Sequence, residues 1–207
     1  MKELLSLLYN TRQLLLALFV MVNGVSHAYD FQSSEGLFFD IISGTNEVFV
    51  HPGNGGLAKN YQGEITVPQI VLDGSGNAYT VVGIGDYAFT ASRITSVSLP
   101  NTIRFIDDYA FSNCAFLNTI VLPNSLESIG QYAFLDCRSL STIIIPELIT
   151  TIGRSTFGGC SNLISVTLSS NLKEIGENAF SNCNKLSSIV FPNSINEIGK
   201  DAFRYCI

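Results

Sequence analysis

The sequence predicts an α+β repeat solenoid, a right-handed coil with one short strand in each 23-residue unit and a β-rich cap before the first unit. Two side-chain columns carry this prediction. All five cysteines follow a phenylalanine by three residues, and successive cysteines are 23 residues apart. Independent columns in register indicate units that stack on one another. The phenylalanine column is Phe89, Phe111, Phe134, Phe157, Phe180 and Phe203, and the cysteine column is Cys114, Cys137, Cys160, Cys183 and Cys206.

One unit illustrates the predicted strand. Residues Leu117–Pro123 have the form L-x-x-L-x-L followed by proline. Ile120 and Leu122 are two residues apart, which is the period of a strand with one buried face. Pro123 lacks an amide hydrogen and therefore ends strand pairing. A repeat of this length and pattern is typical of leucine-rich repeats.

The second half of the unit predicts a short helical or 3₁₀ turn. Ile129, Ala133 and Cys137 are four residues apart, with Phe134 beside them, which is the apolar stripe of such a turn. A glycine precedes this stripe in most units, and we expect it to adopt a positive φ. The glycine column is Gly85, Gly130, Gly153, Gly176 and Gly199, with Asp107 in the remaining unit.

The units resemble the BspA-like, or Treponema pallidum-type, leucine-rich repeats. The shared features are the Leu-Pro ending, the Ile-Gly step and the Ala-Phe-x-x-Cys segment, as in Ala110–Cys114. The resemblance extends from about Ile84 to Ile207 and more weakly back to Ile65, with Ser169 in place of a proline. It implies a non-enzymatic module that binds or adheres to a protein, such as a host matrix or cell-surface protein.

The N-terminus predicts export. Residues 1–28 carry positive charge, an apolar run over Leu14–Val22 and small residues at Ser26 and Ala28, the layout of a cleavable signal peptide. An uncleaved anchor is the alternative, although a membrane span needs about 20 apolar residues. We expect no membrane span after removal of this segment. The expected location is secreted or at the cell surface, with the periplasm as an alternative.

Residues 29–84 are predicted to form the cap, with a degenerate first repeat, and residues 85–207 the repeats. Leu37–Ile42 and Glu47–His51 predict a hairpin. Ile65–Val67 and Tyr79–Val82 predict further strands, with a turn at Asp73–Asn77 between the segments. A cap of this kind would shield the first coil from water.

Composition and residue census exclude several classes of function. Charged residues make up 14% and the net charge is −6, so the electrostatic footprint of a nucleic-acid-binding protein is missing. The predicted mature chain contains a single histidine, His51, which we expect in a surface loop without a nucleophile beside it. The cysteine column predicts a buried ladder of free thiols. The sequence therefore predicts no enzyme, no cofactor and no metal.

The candidate binding face consists of the outward positions of the predicted strands. Every unit has a hydroxyl in the middle of the three outward positions, and none of these positions is charged or aromatic. Serine and threonine are also ordinary solvent-facing strand residues, and a glycan is a further candidate ligand. Self-assembly through an open edge at Ser187–Phe191 is the alternative to partner binding. The candidate residues are Ser96, Thr119, Thr142, Ser165, Ser188, Asn118, Ser141, Val121, Ile144 and Val190.

Overall fold

The computed structural model describes residues 29–34, 36–53 and 60–206, which form fifteen strands and no helix. The predicted signal peptide, residues 1–28, lies outside the described residues. The strands are β1 (Phe31–Gln32), β2 (Phe38–Ile41), β3 (Glu47–His51), β4 (Gln62–Thr66), β5 (Ile70–Leu72), β6 (Ala78–Ile84), β7 (Arg93–Ser98), β8 (Phe105–Ile106), β9 (Thr119–Ile120), β10 (Ser128–Ile129), β11 (Thr142–Ile144), β12 (Thr151–Ile152), β13 (Ser165–Thr167), β14 (Glu174–Ile175) and β15 (Glu197–Ile198).

The first strands form an antiparallel β-structure that continues into the coils. β1, β2 and β3 pair antiparallel, and the predicted hairpin between Leu37–Ile42 and Glu47–His51 is the β2–β3 pair. β5 and β6 form a second hairpin around the predicted turn at Asp73–Asn77. β3 then pairs parallel with β6, so the hairpin sheet joins the parallel ladder of the repeats.

Every described coil except the last contributes two short strands to parallel ladders, where the sequence predicted one. The first strands pair parallel as β4–β7–β9 and β11–β13, and the second strands pair parallel as β6–β8–β10 and β12–β14–β15. Ile129 belongs to the second ladder, where it is 7% exposed. Its spacing to Ala133 suggested a helical stripe, but the residue packs inward from a strand in register with Ile106.

The predicted helical component is absent from the part of the chain that the structure describes. Residues 131–136 form consecutive hydrogen-bonded turns, in which Tyr132 and Asp136 have φ of 58° and 56°. A left-handed residue every few positions prevents a helix from continuing. The amide of Phe134 instead donates to the carbonyl of Thr156 in the next coil at 2.9 Å. Hydrogen bonds to the next coil thus alternate with local turn bonds, such as the one from the Leu135 amide to the Tyr132 carbonyl at 3.0 Å.

The predicted positive φ of the glycine column is also wrong. None of the five glycines has a positive φ, which falls instead on the residue two positions later, such as Tyr132. The column is close to the preceding coil: a Cβ on Gly130 would lie 2.5 Å from the carbonyl carbon of Asp107 and from the amide nitrogen of Asp108. At Gly130, Gly176 and Gly199 glycine is favoured because backbones meet, not because the turn is left-handed. Gly153 is less crowded, since the nearest atom to its added Cβ would be a side-chain carbon of Gln131 at 3.3 Å.

A column of stacked phenylalanine rings forms the centre of the core. Successive ring centroids are 5.2 to 5.4 Å apart, and the rings are nearly parallel. The thiol of the following unit caps a phenylalanine carbonyl, as where Cys137 Sγ donates to the oxygen of Phe111 at 3.2 Å. Each coil therefore covers the apolar face of its neighbour, as the repeat predicted.

Candidate functional site

The candidate binding face lies on the first strand of each coil. Ile120, Ile143 and Val166 point into the core and are at most 9% exposed. Thr119 and Thr142, their neighbours on the same strands, are exposed. The predicted alternation of buried and outward side chains is therefore confirmed, because the two sides of a strand alternate.

The outward side chains form two adjacent rows that follow the stack of coils. A hydroxyl row is half-buried at Ser96 and exposed in the four later units; it consists of Ser96, Thr119, Thr142, Ser165 and Ser188. A second row lies two residues further along each segment and is aliphatic in three of the five units, with Val121 at 74%, Ile144 at 67% and Val190 at 86% exposure. Ser98 and Thr167 occupy the other two positions of this row. Exposed aliphatic side chains in a row are a feature of interaction surfaces.

The remaining candidate residues adjoin the hydroxyl row. Asn118 is exposed, and its Oδ1 accepts a hydrogen bond from the Thr119 hydroxyl at 2.8 Å. Ser141 is half-buried, and its carbonyl accepts from the amide of Ile164 at 2.8 Å. Ile164 itself is 57% exposed. These contacts place polar groups and one further aliphatic side chain at the border of the same face.

The predicted last strand of this face is not formed. Residues 187–191 have no strand assignment, so the expected open strand edge at Ser187–Phe191 is wrong. The ladder is also interrupted between β9 and β11. β9 pairs with β7 and β11 pairs with β13, but β9 and β11 do not pair with each other. The face is a row of short segments, of which only some are bonded as strands.

A shallow depression lies on the first coils of the face. It has a volume of about 390 Å³ and includes Thr119 and Val121 from the predicted rows. The depression extends beyond the two rows, toward the turn that follows each strand, where it is lined by Leu99, Asn101 and Pro123. The depression therefore joins both rows to the Leu-Pro end of the unit.

An exposed aromatic side chain borders the face, and the sequence reasoning missed it. Phe116 is 50% exposed, and the guanidinium carbon of Arg93 lies 5.2 Å from its ring centroid. Such a distance is that of a cation–π contact. The available signal was that Phe116 is a phenylalanine outside the repeated column, directly before the buried Leu117.

The histidine lies in a strand, not in the surface loop that the sequence predicted. His51 ends β3, its side chain is 12% exposed and its Nε2 lies 3.9 Å from Asp40 Oδ2. Its Nδ1 accepts a hydrogen bond from the amide of Gly53 at 3.0 Å. Pairing of β3 with β2 buries this position. These contacts tie the imidazole to the β2–β3 hairpin.

The thiols are free and withdrawn from water. Four of the five cysteines are buried, and Cys206 is intermediate. Burial raises the pKa of Cys114 and of Cys183 to about 12, so both remain protonated at neutral pH. A buried thiol is inert because the thiolate is the nucleophile.

The turn at Asp73 uses its carboxylate internally. Asp73 Oδ1 accepts from the amides of Ser75 and Asn77, at 2.8 and 2.9 Å, and Oδ2 accepts from the Asn77 side-chain amide at 2.8 Å. These bonds lower the pKa of Asp73. Across residues 29–34, 36–53 and 60–206, no group of three or more potential metal-ligating residues occurs.

The BspA type leucine-rich repeat region model matches residues 82–207 in six copies, which is more than half of the chain. The protein therefore belongs to the BspA-type leucine-rich-repeat family. No curated protein sequence matches the chain. The described residues also contain no helix of the length and apolarity that a membrane crossing requires.

Several solved bacterial structures share the fold. A leucine-rich cell-surface protein from Faecalibacterium prausnitzii is 28% identical with a TM-score of 0.64, over 87% of this chain and 52% of that one. The Treponema pallidum leucine-rich-repeat protein is 26% identical with a TM-score of 0.67, over 82% of each chain. The pneumococcal vaccine antigen PcpA is 25% identical with a TM-score of 0.69, over 87% of this chain and 49% of that one. This chain thus spans about half the length of the Faecalibacterium prausnitzii protein and of PcpA.

Proposed function

We propose that this protein is an exported, non-enzymatic module that captures a protein partner on the strand face. The observation that carries the proposal is the uncharged pair of rows, in which exposed aliphatic side chains such as Val121 and Ile144 lie beside hydroxyl groups. Apolar area provides the free energy of association, and the hydroxyls supply hydrogen bonds to a partner backbone. Binding of this kind is what leucine-rich-repeat proteins generally do.

The location follows from the same proposal. Residues 1–28 would direct export and be removed, leaving residues 29–84 as the cap and residues 85–207 as the repeats. A structural neighbour is described as a cell-surface protein. We therefore place the module at the cell surface or outside the cell, with a host matrix or cell-surface protein as the partner and adhesion as its role.

A binding screen with purified residues 29–207 tests the proposal. Immobilised matrix proteins, glycans and intact cells would be tested beside the variant Thr119→Lys with Thr142→Lys, which places two charges on the hydroxyl row. We expect a protein partner to bind the wild type and to lose at least about tenfold in affinity in this variant, because each buried charge without a partner costs more than 1.4 kcal/mol.

The matched control is Ser128→Lys with Thr151→Lys. These residues are exposed on the second ladder, in the same two coils, and the variant carries the same added charge. Binding should persist in the control, and melting temperatures should show that both variants are folded. Equal binding by all three proteins would exclude the strand face, and capture of a glycan without any protein would contradict a protein-binding module.

Self-assembly is the second candidate, favoured by apolar exposure on the last described coil. Phe191 is 42%, Ile198 47% and Tyr205 59% exposed. Burying such side chains between two copies would be favourable. Sedimentation of residues 29–207 over a wide concentration range tests this: assembly that Phe191→Ser with Ile198→Ser abolishes supports it, whereas a monomer at the highest concentration excludes it.

A further inference from the structure

A ladder of three tyrosines lies on the turns of the first coils, away from the strand face. The rings of Tyr87 and Tyr109 are 4.8 Å apart with an interplanar angle of 4°, and those of Tyr109 and Tyr132 are 4.6 Å apart with an angle of 8°. Tyr87 is the end ring and is 43% exposed. Among the described residues no further ring stacks on its other face.

The turn does not require these rings. All three tyrosines have φ of 57° or 58°, a conformation that is unfavourable for bulky residues. The same turn position in the next two coils is occupied by Ser155 and Asn178, with φ of 49° and 56°. Since smaller residues form the same turn, the tyrosines provide a surface that the backbone conformation does not demand.

Two carboxylates accompany the exposed end of the ladder. Asp86 and Asp108 each precede a tyrosine, and both are exposed. One oxygen of each accepts an amide of the next coil: Asp86 Oδ1 accepts from Asp108 N at 3.0 Å, and Asp108 Oδ1 accepts from Gln131 N at 2.7 Å. These bonds fix both carboxylates in one row beside the rings.

The charge changes sign along this row. Gln131 occupies the equivalent position in the coil after Asp108, and Arg154 occupies it in the coil after that. The guanidinium of Arg154 lies 3.5 Å from a carboxylate oxygen of Glu177. In this row, therefore, only Asp86 and Asp108 are acidic residues that have no basic residue in the neighbouring coil. They lie in the coils that carry Tyr87 and Tyr109. The combination of aromatic rings and carboxylates complements a positive charge, which the rings attract through their quadrupoles.

We propose that Tyr87, Tyr109, Asp86 and Asp108 form a second interaction surface, which binds a lysine or arginine side chain of a protein partner. The cation would pack against the exposed Tyr87 ring, and its N–H groups would donate to the carboxylates. This surface goes beyond the proposed strand-face function, since it is built from different residues on the turns.

Binding of a short peptide of alternating lysine and serine tests the proposal. Affinity would be measured at an ionic strength of about 0.15 M, where charges more than about 8 Å apart are screened. The same peptide with glutamine in place of lysine is the reference probe. We expect the lysine peptide to bind measurably and the glutamine peptide to bind at least about tenfold more weakly, because the latter lacks the cation.

Two variants separate the rings from the charges. Tyr87→Asn with Tyr109→Asn keeps a residue that tolerates the left-handed turn, as Asn178 does in the native chain. It should weaken the lysine peptide about two- to fivefold, the range for an exposed cation–π contact. Asp86→Asn with Asp108→Asn keeps the amide-accepting oxygens and removes both charges, and it should weaken the peptide by at least as much.

A charge-matched control removes net charge as an explanation. Glu174→Gln with Glu197→Gln takes two charges from the second ladder, where both residues are exposed. This control should bind the peptide within about twofold of wild type, because screening weakens distant charges. Three results would overturn the proposal. The aspartate variant and the control could lose the same affinity for the lysine peptide, or the wild type could bind both peptides equally. The third such result is an unchanged affinity of the tyrosine variant for the lysine peptide.

The strand-face variant distinguishes the two proposals. Thr119→Lys with Thr142→Lys should still bind the lysine peptide, whatever it does to another partner. Loss of the peptide in this folded variant would overturn the assignment to the turns. A failure to find any strand-face partner leaves the peptide measurement intact, since that measurement depends on neither row.

Discussion

At the scale of single residues, each column has a physical role that its spacing predicts only in part. The phenylalanines stack and the cysteines cap their carbonyls, and both roles follow from a buried, repeated position. The glycine column was predicted for the wrong reason, because a one-dimensional pattern cannot show that two backbones meet. Phe116 was missed because it lies outside every column, and only its exposure identifies it.

Truncation of one internal ring should be strongly destabilising. Phe134 is fully buried between Phe111 and Phe157, with centroid distances of 5.2 and 5.4 Å. We expect Phe134→Ala to lower the free energy of unfolding by about 3–5 kcal/mol, because it removes buried apolar area and leaves a cavity. Urea denaturation measures this. Phe116→Ala is the control and should cost far less; equal costs would contradict the stacked core.

Asp86 should make stability depend on pH in the acidic range. Partial withdrawal from water, together with the nearby Asp108 carboxylate, raises the pKa of Asp86 to about 6. The folded state then binds the proton more tightly than the unfolded state, so the contribution of Asp86 falls as pH rises from about 4 to about 6. Asp86→Asn should flatten this part of the melting-temperature profile. An unchanged profile would show that Asp86 titrates normally.

At the scale of elements, the first strand of the coil was predictable, whereas the second strand and the turn after it were not. Alternation of Ile120 and Leu122 with outward residues identified the first strand of the coil. For the second strand and the turn that follows it, the sequence predicts one helical stripe, since spacings of three and four residues fit a helix. Positive φ at Tyr132 and Asp136 breaks that helix, and hydrogen bonds to the next coil alternate with local turn bonds.

The close approach of coils at the glycine column is testable by adding one methyl group. In Gly130→Ala the new Cβ would lie 2.5 Å from backbone atoms of Asp107 and Asp108, so the coils must move apart. We expect a loss of about 1–3 kcal/mol in unfolding free energy, the usual cost of overpacking. Gly74→Ala is the matched control, since nothing lies within 4 Å of its Cβ. A neutral Gly130→Ala would refute the close contact.

At the scale of the whole molecule, stability is a sum over coils and their interfaces. Many inter-coil contacts recur one unit later, as the parallel pairs β8–β10 and β12–β14 show. The arrangement of distant coils therefore depends only on contacts between adjacent coils, which repeat in the same register. This is also why the outward residues of distant units, such as Thr119 and Ser188, lie in one row.

Deleting one period should preserve the fold. Removing residues 138–160, one unit of 23 residues, joins Cys137 to Ser161 and keeps all columns in register. We expect a folded protein with a lower midpoint of urea unfolding, because one coil and one interface are lost. Removal of residues 141–160 breaks the register and should abolish cooperative unfolding. Comparable unfolding curves for the two deletions would contradict a solenoid with a fixed period.

The sequence by itself determined the repeat, its period, the family, the buried columns and the outward residues of the strand face. These follow from periodicity, because identical spacing forces identical environments in stacked units. The tertiary structure alone decided that glycines such as Gly130 mark backbone contacts, that turns occupy the place of the predicted helix and that the tyrosines form a ladder beside Asp86 and Asp108. Those features depend on distances between coils, which no spacing along a single chain contains.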